Sequence, residues 1–251
     1  MGLHEGSERL SGKESVFPEL VPQENLGSAA DGPAEQFRTI APAVQPKKDT
    51  AHLDAHVRAT TVSFTNMHLF GELLVSFLRA RHETFVVNKG WDLPSADGME
   101  FDQYDTPLAR WIIIHEFGEI LAGVRLTPTT AQIGMHSYMI RDAQLGMLPD
   151  IPRDVLFFEA PVKKEIWEAT RLFLTPVVAS NRRMRIQTIL LQQMAAAGRE
   201  LGATHVIGIV PAVFSRWMTR LGMLSAVPVG PVMTIDGDRT QAALMNVMNP
   251  V

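Results

Sequence analysis

Between Arg81 and Arg125 the chain crowds guanidinium groups, carboxylates and large aromatic rings into a short space. Arg81, Phe85 and Trp91 come first, then the run Glu100-Phe101-Asp102-Gln103-Tyr104-Asp105, then Arg125, with an echo at Trp167-Glu168-Ala169-Thr170-Arg171. A hydrophobic core does not need that mixture. Burying a lone ion is so costly that any fold taking these segments inside must let the acids and arginines satisfy one another or a ligand. On the residues alone two readings stay open: a self-satisfied ion-pair network, or a site for a small zwitterion that carries an aromatic ring.

The rest of the sequence narrows the class. A length of 251 residues, 46% of them hydrophobic, suits one domain of roughly 180 to 200 residues plus an appendage. The formal net charge of -4 argues against bulk nucleic-acid binding. With no cysteine, disulfides, thiolate metal sites and cysteine nucleophiles are excluded. His52 and His56 are four apart but lack a carboxylate-plus-histidine follow-up, so no metal site is expected. The opening residues carry no basic, apolar leader, and no apolar run approaches the roughly 20 residues that span a bilayer, so a cytoplasmic protein with no membrane span is expected.

Pro18, Pro22, Pro33, Pro42 and Pro46 lie scattered among Gly, Ser, Glu and Lys, which predicts a disordered extension over residues 1–59 and a domain over 60–251. Phe70, Leu73, Leu74, Phe77, Leu78 and Phe85 recur at helical spacing and predict a helix from Asn66 to Val86, capped by Thr65 or Asn66, with Arg81 and Phe85 on one face. Gly90 and Pro94 bound a loop that carries Trp91. Leu108 to His115 and Glu119 to Leu126 read as a hairpin around Glu116-Phe117-Gly118, stopped by Pro128. Beyond it come a helix with loop over Ile133 to Leu148, strands over Val155 to Phe158 and Ile166 to Val178, and a helix over Arg183 to Leu201, capped by Asn181 and stopped by Gly202. A buried strand over His205 to Val210, a helix over Val213 to Leu221 and a strand over Val229 to Ile235 complete the order. That order predicts an α+β or α/β fold built on one mixed sheet.

Taken together, Arg81, Phe85 and Trp91, Glu100-x-Asp102-x-x-Asp105, Arg125-Leu126-x-Pro128-Thr129 and Trp167-Glu168-x-x-Arg171 resemble the ordered signature of the acyl-homoserine-lactone synthases, the autoinducer synthase family. The resemblance covers roughly Phe77 to Val232. Two positions depart from it: Thr127 stands where a second leucine is usual, and Thr170-Arg171-Leu172 replaces Ser-Arg-Phe. The extension before residue 60 has no counterpart in the pattern.

The resemblance implies a sandwich like that of the Gcn5-related N-acetyltransferases, with a mixed sheet flanked by helices. It implies transfer of a fatty acyl group, carried as a thioester on acyl carrier protein, to the α-amine of S-adenosylmethionine, followed by lactonisation and release of methylthioadenosine. No cofactor is tightly bound, because S-adenosylmethionine is the substrate. Arg81, Phe85 and Trp91 are then expected to bind that substrate, the arginine forking its carboxylate and the rings facing its adenine and sulfonium. Glu100, Glu168 and Arg171 form the expected catalytic set, either glutamate serving as base. Asp102, Asp105 and Arg125 are expected to form the charge network of the site, and with Arg171 they are expected to pair with one another as a scaffold rather than to touch the substrate. Backbone N–H groups after Arg171 are expected to meet the thioester oxygen, and Arg182, Arg183 and Arg185 the acidic carrier protein. An N-acyl amino acid synthase of the same fold, or a non-catalytic homologue that binds acyl carrier protein, fits fewer of these residues. Acyl-CoA is not excluded as the donor.

Overall fold

The computed structural model describes residues 56–214 and 226–248. Its centre is a seven-stranded sheet in the order β1-β4-β5-β6-β7-β9-β8, where β1 is Val57–Val62, β4 Arg110–Glu116, β5 Glu119–Pro128, β6 Ile166–Leu174, β7 His205–Pro211, β8 Ala226–Ile235 and β9 Asp238–Asn246. Two further strands, β2 (Ser95–Ala96) and β3 (Met99–Glu100), make a separate short hairpin. All pairings in the large sheet are antiparallel except β6 with β7. This is the α+β mixed sheet flanked by helices that the element order predicts.

Helix α1 (Leu73–Arg81) covers one face of the sheet and α3 (Ser180–Glu200) the other. The run Trp111-Ile112-Ile113-Ile114 on β4 shows how. Trp111 and Ile113 pack with Phe77 under α1, while Ile112 and Ile114 pack with Ile186, Leu190 and Met194 of α3. Period-2 alternation thus serves two cores, which is why that strand reads as continuously apolar. A third cluster, including Tyr138, Ile140, Ile207 and Val229, lies under α2 (Met139–Gln144).

Three tight turns join strands: Asp97-Gly98, Phe117-Gly118 and Asp236-Gly237. Both central residues have positive φ in each, as a type I′ hairpin turn requires.

Several expectations change. Strand β1 begins at Val57, ahead of the boundary drawn at residue 60, and pairs with β4 along its whole length. The long helix expected over Asn66 to Val86 is three pieces: a 3-10 turn at Met67–Phe70, α1, and a π-helical segment at His82–Asn88. Gly71, at φ 54°, separates the first two. Asn66 closes a turn by accepting the Ser63 N–H and donating to the Thr61 carbonyl. The helix over Ile133 to Leu148 shrinks to α2, and Val155 to Phe158 is a turn tied to β8 by one bond from Phe157 N–H to the Val229 carbonyl. Strand β6 stops at Leu174, where the Thr175 hydroxyl turns back to the carbonyls of β5. Asn181 lies inside α3 and does not cap it. Strand β9 was not expected. Of the helix expected over Val213 to Leu221, only Val213 and Phe214 fall within the described residues, and the extension before His56 lies outside them.

Candidate functional site

The charged segments converge on the α1 face of β5 and β6. Arg81 ends α1, and Glu100 ends the β2–β3 hairpin. Asp102 and Asp105 lie in the loop that leads into β4. On β5 Arg125 shares a face with Gly123, whose missing side chain makes room for the Phe77 ring: a Cβ there would collide with Phe77 Cε2.

Arg171 needs a bulge to join them. Gly123 pairs with Phe173 but Arg125 pairs with Thr170, so β6 carries one extra residue at this point. Arg171 adopts φ 54° there. In a regular strand Ala169, Arg171 and Phe173 would share a face. Here Ala169 packs on the α3 side and Phe173 on the α1 side, and the Arg171 guanidinium swings to the acids.

Three arginines and three acids then satisfy one another. Arg81 Nε donates to Glu100 Oε2 at 2.5 Å, and its two terminal nitrogens fork Asp105 at 2.7 and 3.0 Å. Arg125 forks Asp102 at 2.5 and 3.1 Å, reaches Asp105 at 2.9 Å, and gives its Nε to the Thr170 hydroxyl at 3.0 Å. Arg171 bridges Glu100 at 3.1 Å and Asp102 at 3.0 Å. The indole N–H of Trp111 and the backbone N–H of Asp102 also donate to Asp105. Arg81, Arg125 and Glu100 are completely buried, and the network is formally neutral. Burial pushes the Asp102 and Asp105 carboxyls up, and the guanidiniums, with Arg125 foremost, overcome it and hold both below the usual carboxylate range. Burial opposes the charge of Arg125 and Arg81 as well, and their acid partners outweigh it and raise both.

Glu168 stands apart from this network. It is fully buried on β6, and its two oxygens accept the backbone N–H groups of Met139 (3.0 Å) and Ile140 (2.7 Å) at the start of α2. Burial pushes its carboxyl up to about 7, against the pull of those N–H groups and of Arg125. Beside it, buried Asp142 of α2 accepts from the Ser137 backbone and hydroxyl, from Tyr104 OH at 3.0 Å and from His136 Nδ1 at 3.2 Å.

Phe85 and Trp91 stack with centroids 5.1 Å apart at 15°, and Phe173 meets Phe85 edge-on. Lys89 Nζ lies 4.6 Å from the Trp91 centroid, so that ring already holds a cation. Strands β6 and β7 pair only from Ile166 with His205 to Glu168 with Ile207, after which β7 follows β9 and β6 follows β5. The sheet therefore opens just before Arg171. Leu172, Gln187, Leu190, Leu191, Pro211 and Phe214 line a cavity of about 250 Å³ at this opening, on the α3 side.

The structure thus gathers Arg81, Glu100, Asp102, Asp105, Arg125 and Arg171 in one network. Expected to fork a substrate carboxylate, Arg81 instead has its whole guanidinium engaged by Glu100 and Asp105. Arg182 forks Glu116 at 3.0 and 3.2 Å, Arg183 is exposed and touches the Thr175 carbonyl, and Arg185 is half-buried in α3. Tyr104, Trp111, Asp142 and Thr170 belong to the site, and the sequence reading assigned none of them a role. Tyr104 lies within the acidic run, and its ring lies 5.6 Å from the Arg125 guanidinium. Among the described residues no group of histidines and acids is gathered as a metal would require.

The autoinducer synthase family model matches residues 71–249. An acyl-homoserine-lactone synthase of Ralstonia solanacearum is 30% identical over 162 residues, 62% of this chain and 74% of its own length. One of Aeromonas salmonicida is 28% identical over 153 residues, 58% of this chain and 66% of its own, so the match spans slightly less than two thirds of that relative. Among solved structures, a CoA-dependent acyl-homoserine lactone synthase with SAM and isopentyl-CoA has a TM-score of 0.59 at 25% identity, covering 77% of this chain and 84% of that one.

Proposed function

The chain belongs to the autoinducer synthase family, and from that premise we propose that it transfers a fatty acyl group from a thioester to the α-amine of S-adenosylmethionine and releases an acyl-homoserine lactone with methylthioadenosine. The observation that carries the reading is the place of the ion-pair network: it lies beside the opening between β6 and β7, where a thioester arm can pass through the sheet to the cavity behind it.

In this reading the network is scaffold. Neutral and fully paired, it holds the aromatic pair of Phe85 and Trp91 against β6, where the rings face the adenine and sulfonium of the substrate. Lys89 shows that this ring can hold a cation, and in this reading the sulfonium takes the place of the Lys89 ammonium. Glu168 is the base. Both Glu100 oxygens are held by guanidiniums, whereas the Glu168 carboxyl, raised to about 7, is matched to taking a proton from an ammonium near neutral pH. The amine attacks the thioester carbonyl, the C–S bond breaks, and the thiol leaves with the amine's second proton. The methionine carboxylate then displaces methylthioadenosine from its own γ-carbon. In this reading backbone N–H groups of β6 beside the opening meet the oxyanion.

Acyl carrier protein is the proposed donor, met by exposed Arg183 at the start of α3. A similar protein is CoA-dependent, which makes acyl-CoA the second reading. Incubation with S-adenosylmethionine and mixed acyl thioesters on either carrier, read by mass spectrometry, tests the proposal. A lactone with matching methylthioadenosine is expected. An acyl amino acid without methylthioadenosine refutes the lactone step, and no product with either carrier refutes the activity.

A further inference from the structure

Thr127 is the position in the Arg125-Leu126-Thr127-Pro128-Thr129 segment where leucine was expected. On β5 it lies two residues from Arg125 and directly across from Glu168 in the β5–β6 register, so its side chain shares the site face with both. It is 1% exposed, and among the described residues its hydroxyl has no hydrogen-bond partner. Its neighbours on that face do not share this state. Thr129 donates to the carbonyls of Lys163 and Ile166, and Thr170 accepts from Arg125. A buried hydroxyl left unpaired bears its full desolvation cost, which leucine at the same place would avoid. A hydroxyl kept in spite of that cost, beside a carboxylate, points to a polar guest between the two.

The surroundings of Glu168 leave room for one more contact. Each carboxylate oxygen takes one backbone N–H, from Met139 or Ile140, and keeps a second lone pair. The charged and titratable groups that face it are Arg125 of β5, Asp102 of the acidic loop, Tyr104, Tyr138 at the entry to α2, and Asp142 of α2. None of these hydrogen-bonds to it: Arg125 is spent on Asp102, Asp105 and Thr170, Tyr104 on Asp142, and Tyr138 on the Pro161 carbonyl. Resting on the acyltransferase reading above, we propose that Thr127 is a positioning residue whose hydroxyl, with the Glu168 carboxylate, holds a water molecule that relays the proton of the substrate ammonium to Glu168. One ammonium N–H bond breaks and its proton joins the water oxygen. One water O–H bond breaks and its proton forms the carboxyl O–H of Glu168. The nitrogen keeps the electron pair with which it attacks the thioester.

The test uses the full chain, Thr127→Val and Thr127→Ser, and two readouts. Urea unfolding across pH 5 to 8, read as the difference between each protein and its Glu168→Gln counterpart, locates the Glu168 titration without any substrate. Steady-state acyl transfer across the same range gives the acid limb of kcat/KM. Thr127→Val is expected to fold, to move the Glu168 titration upward by about half a unit or more, and to lower kcat/KM at least about tenfold with KM for S-adenosylmethionine little changed. Thr127→Ser, which keeps the hydroxyl, is expected to restore both. If Thr127→Val does not fold, Thr127→Ala carries the same two readouts. A Glu168 titration and an acid limb unchanged in the variant without the hydroxyl overturn the proposal. If the wild-type chain transfers no acyl group while the titration still moves, the water assignment stands and the acyltransferase reading falls.

Discussion

Glu168 gives the sharpest prediction because its burial has a pH signature of its own. Its carboxyl rises from an ordinary value of 4.5 to about 7 on folding, chiefly by desolvation. Between those two values the folded chain keeps a proton that the unfolded chain has lost, so this group's contribution is complete below about pH 4.5 and is lost as pH rises through 7. At 1.36 kcal/mol per unit, the loss amounts to about 3 kcal/mol. Burial pushes the His115 imidazole below its ordinary value of 6.5, which adds a slope of opposite sign to the profile. The quantity to read is therefore the difference between wild type and Glu168→Gln. Glutamine keeps the shape and cannot ionise, but it presents an NH₂ where one of the Met139 and Ile140 N–H groups needs an acceptor, a cost of about 1 to 3 kcal/mol. Urea titrations followed by tryptophan fluorescence at pH 5, 6, 7 and 8 should find Glu168→Gln the less stable protein at pH 5 and the two nearly equal at pH 8. A constant difference across the series would mean that Glu168 is ionised throughout and is no reservoir for the substrate's proton.

Other consequences are quicker to test. Arg171→Lys should abolish most activity and lower Tm in a thermal melt, because an ammonium cannot bridge Glu100 and Asp102 from two nitrogens as the guanidinium does; wild-type kcat/KM in this variant would show that the bridge is dispensable. Gly123→Ala should destabilise by about 1 to 3 kcal/mol in urea unfolding, since its methyl must displace the buried Phe77 ring, and an unchanged midpoint would refute that packing. Trp91→Ala should raise KM for S-adenosylmethionine with little change in Tm, and an unchanged KM would contradict the stacking role. Asp102 and Asp105, held low by guanidiniums, contribute stability above their ordinary values that is lost as pH falls below about 4; a flat stability profile from pH 5 to 2.5 would deny the network that contribution.

The strands that escaped the sequence reading share a cause. Val57–Val62 and Asp238–Asn246 mix Arg, Thr, Gln and Asn with small apolar residues, so neither shows the apolar run of β4 or β7. Strand β1 lies at the sheet edge, where one side of the backbone needs no partner, and β8 at the other edge tolerates Pro228 and Pro231 for the same reason. The α3 stripe through Ile186, Leu190 and Met194 was legible because local periodicity and the buried face coincide there. The break at Gly71 and the π segment after Arg81 were not, since apolar spacing runs through both.

By itself the sequence determined the chemistry of the site: three arginines and three acids in a fixed order, with Phe85 and Trp91 beside them, had to be buried together or not at all. Charge balance and the cost of burying unpaired ions follow from composition and order alone. Tertiary structure decided who pairs with whom. Only the extra residue in β6 turns Arg171 to the acids, and only the parting of β6 from β7 opens a path beside them. Only the cross-strand register sets Thr127 against Glu168, while the start of α2 closes over the carboxylate. Those are distances between segments remote in the chain, and no local pattern carries them.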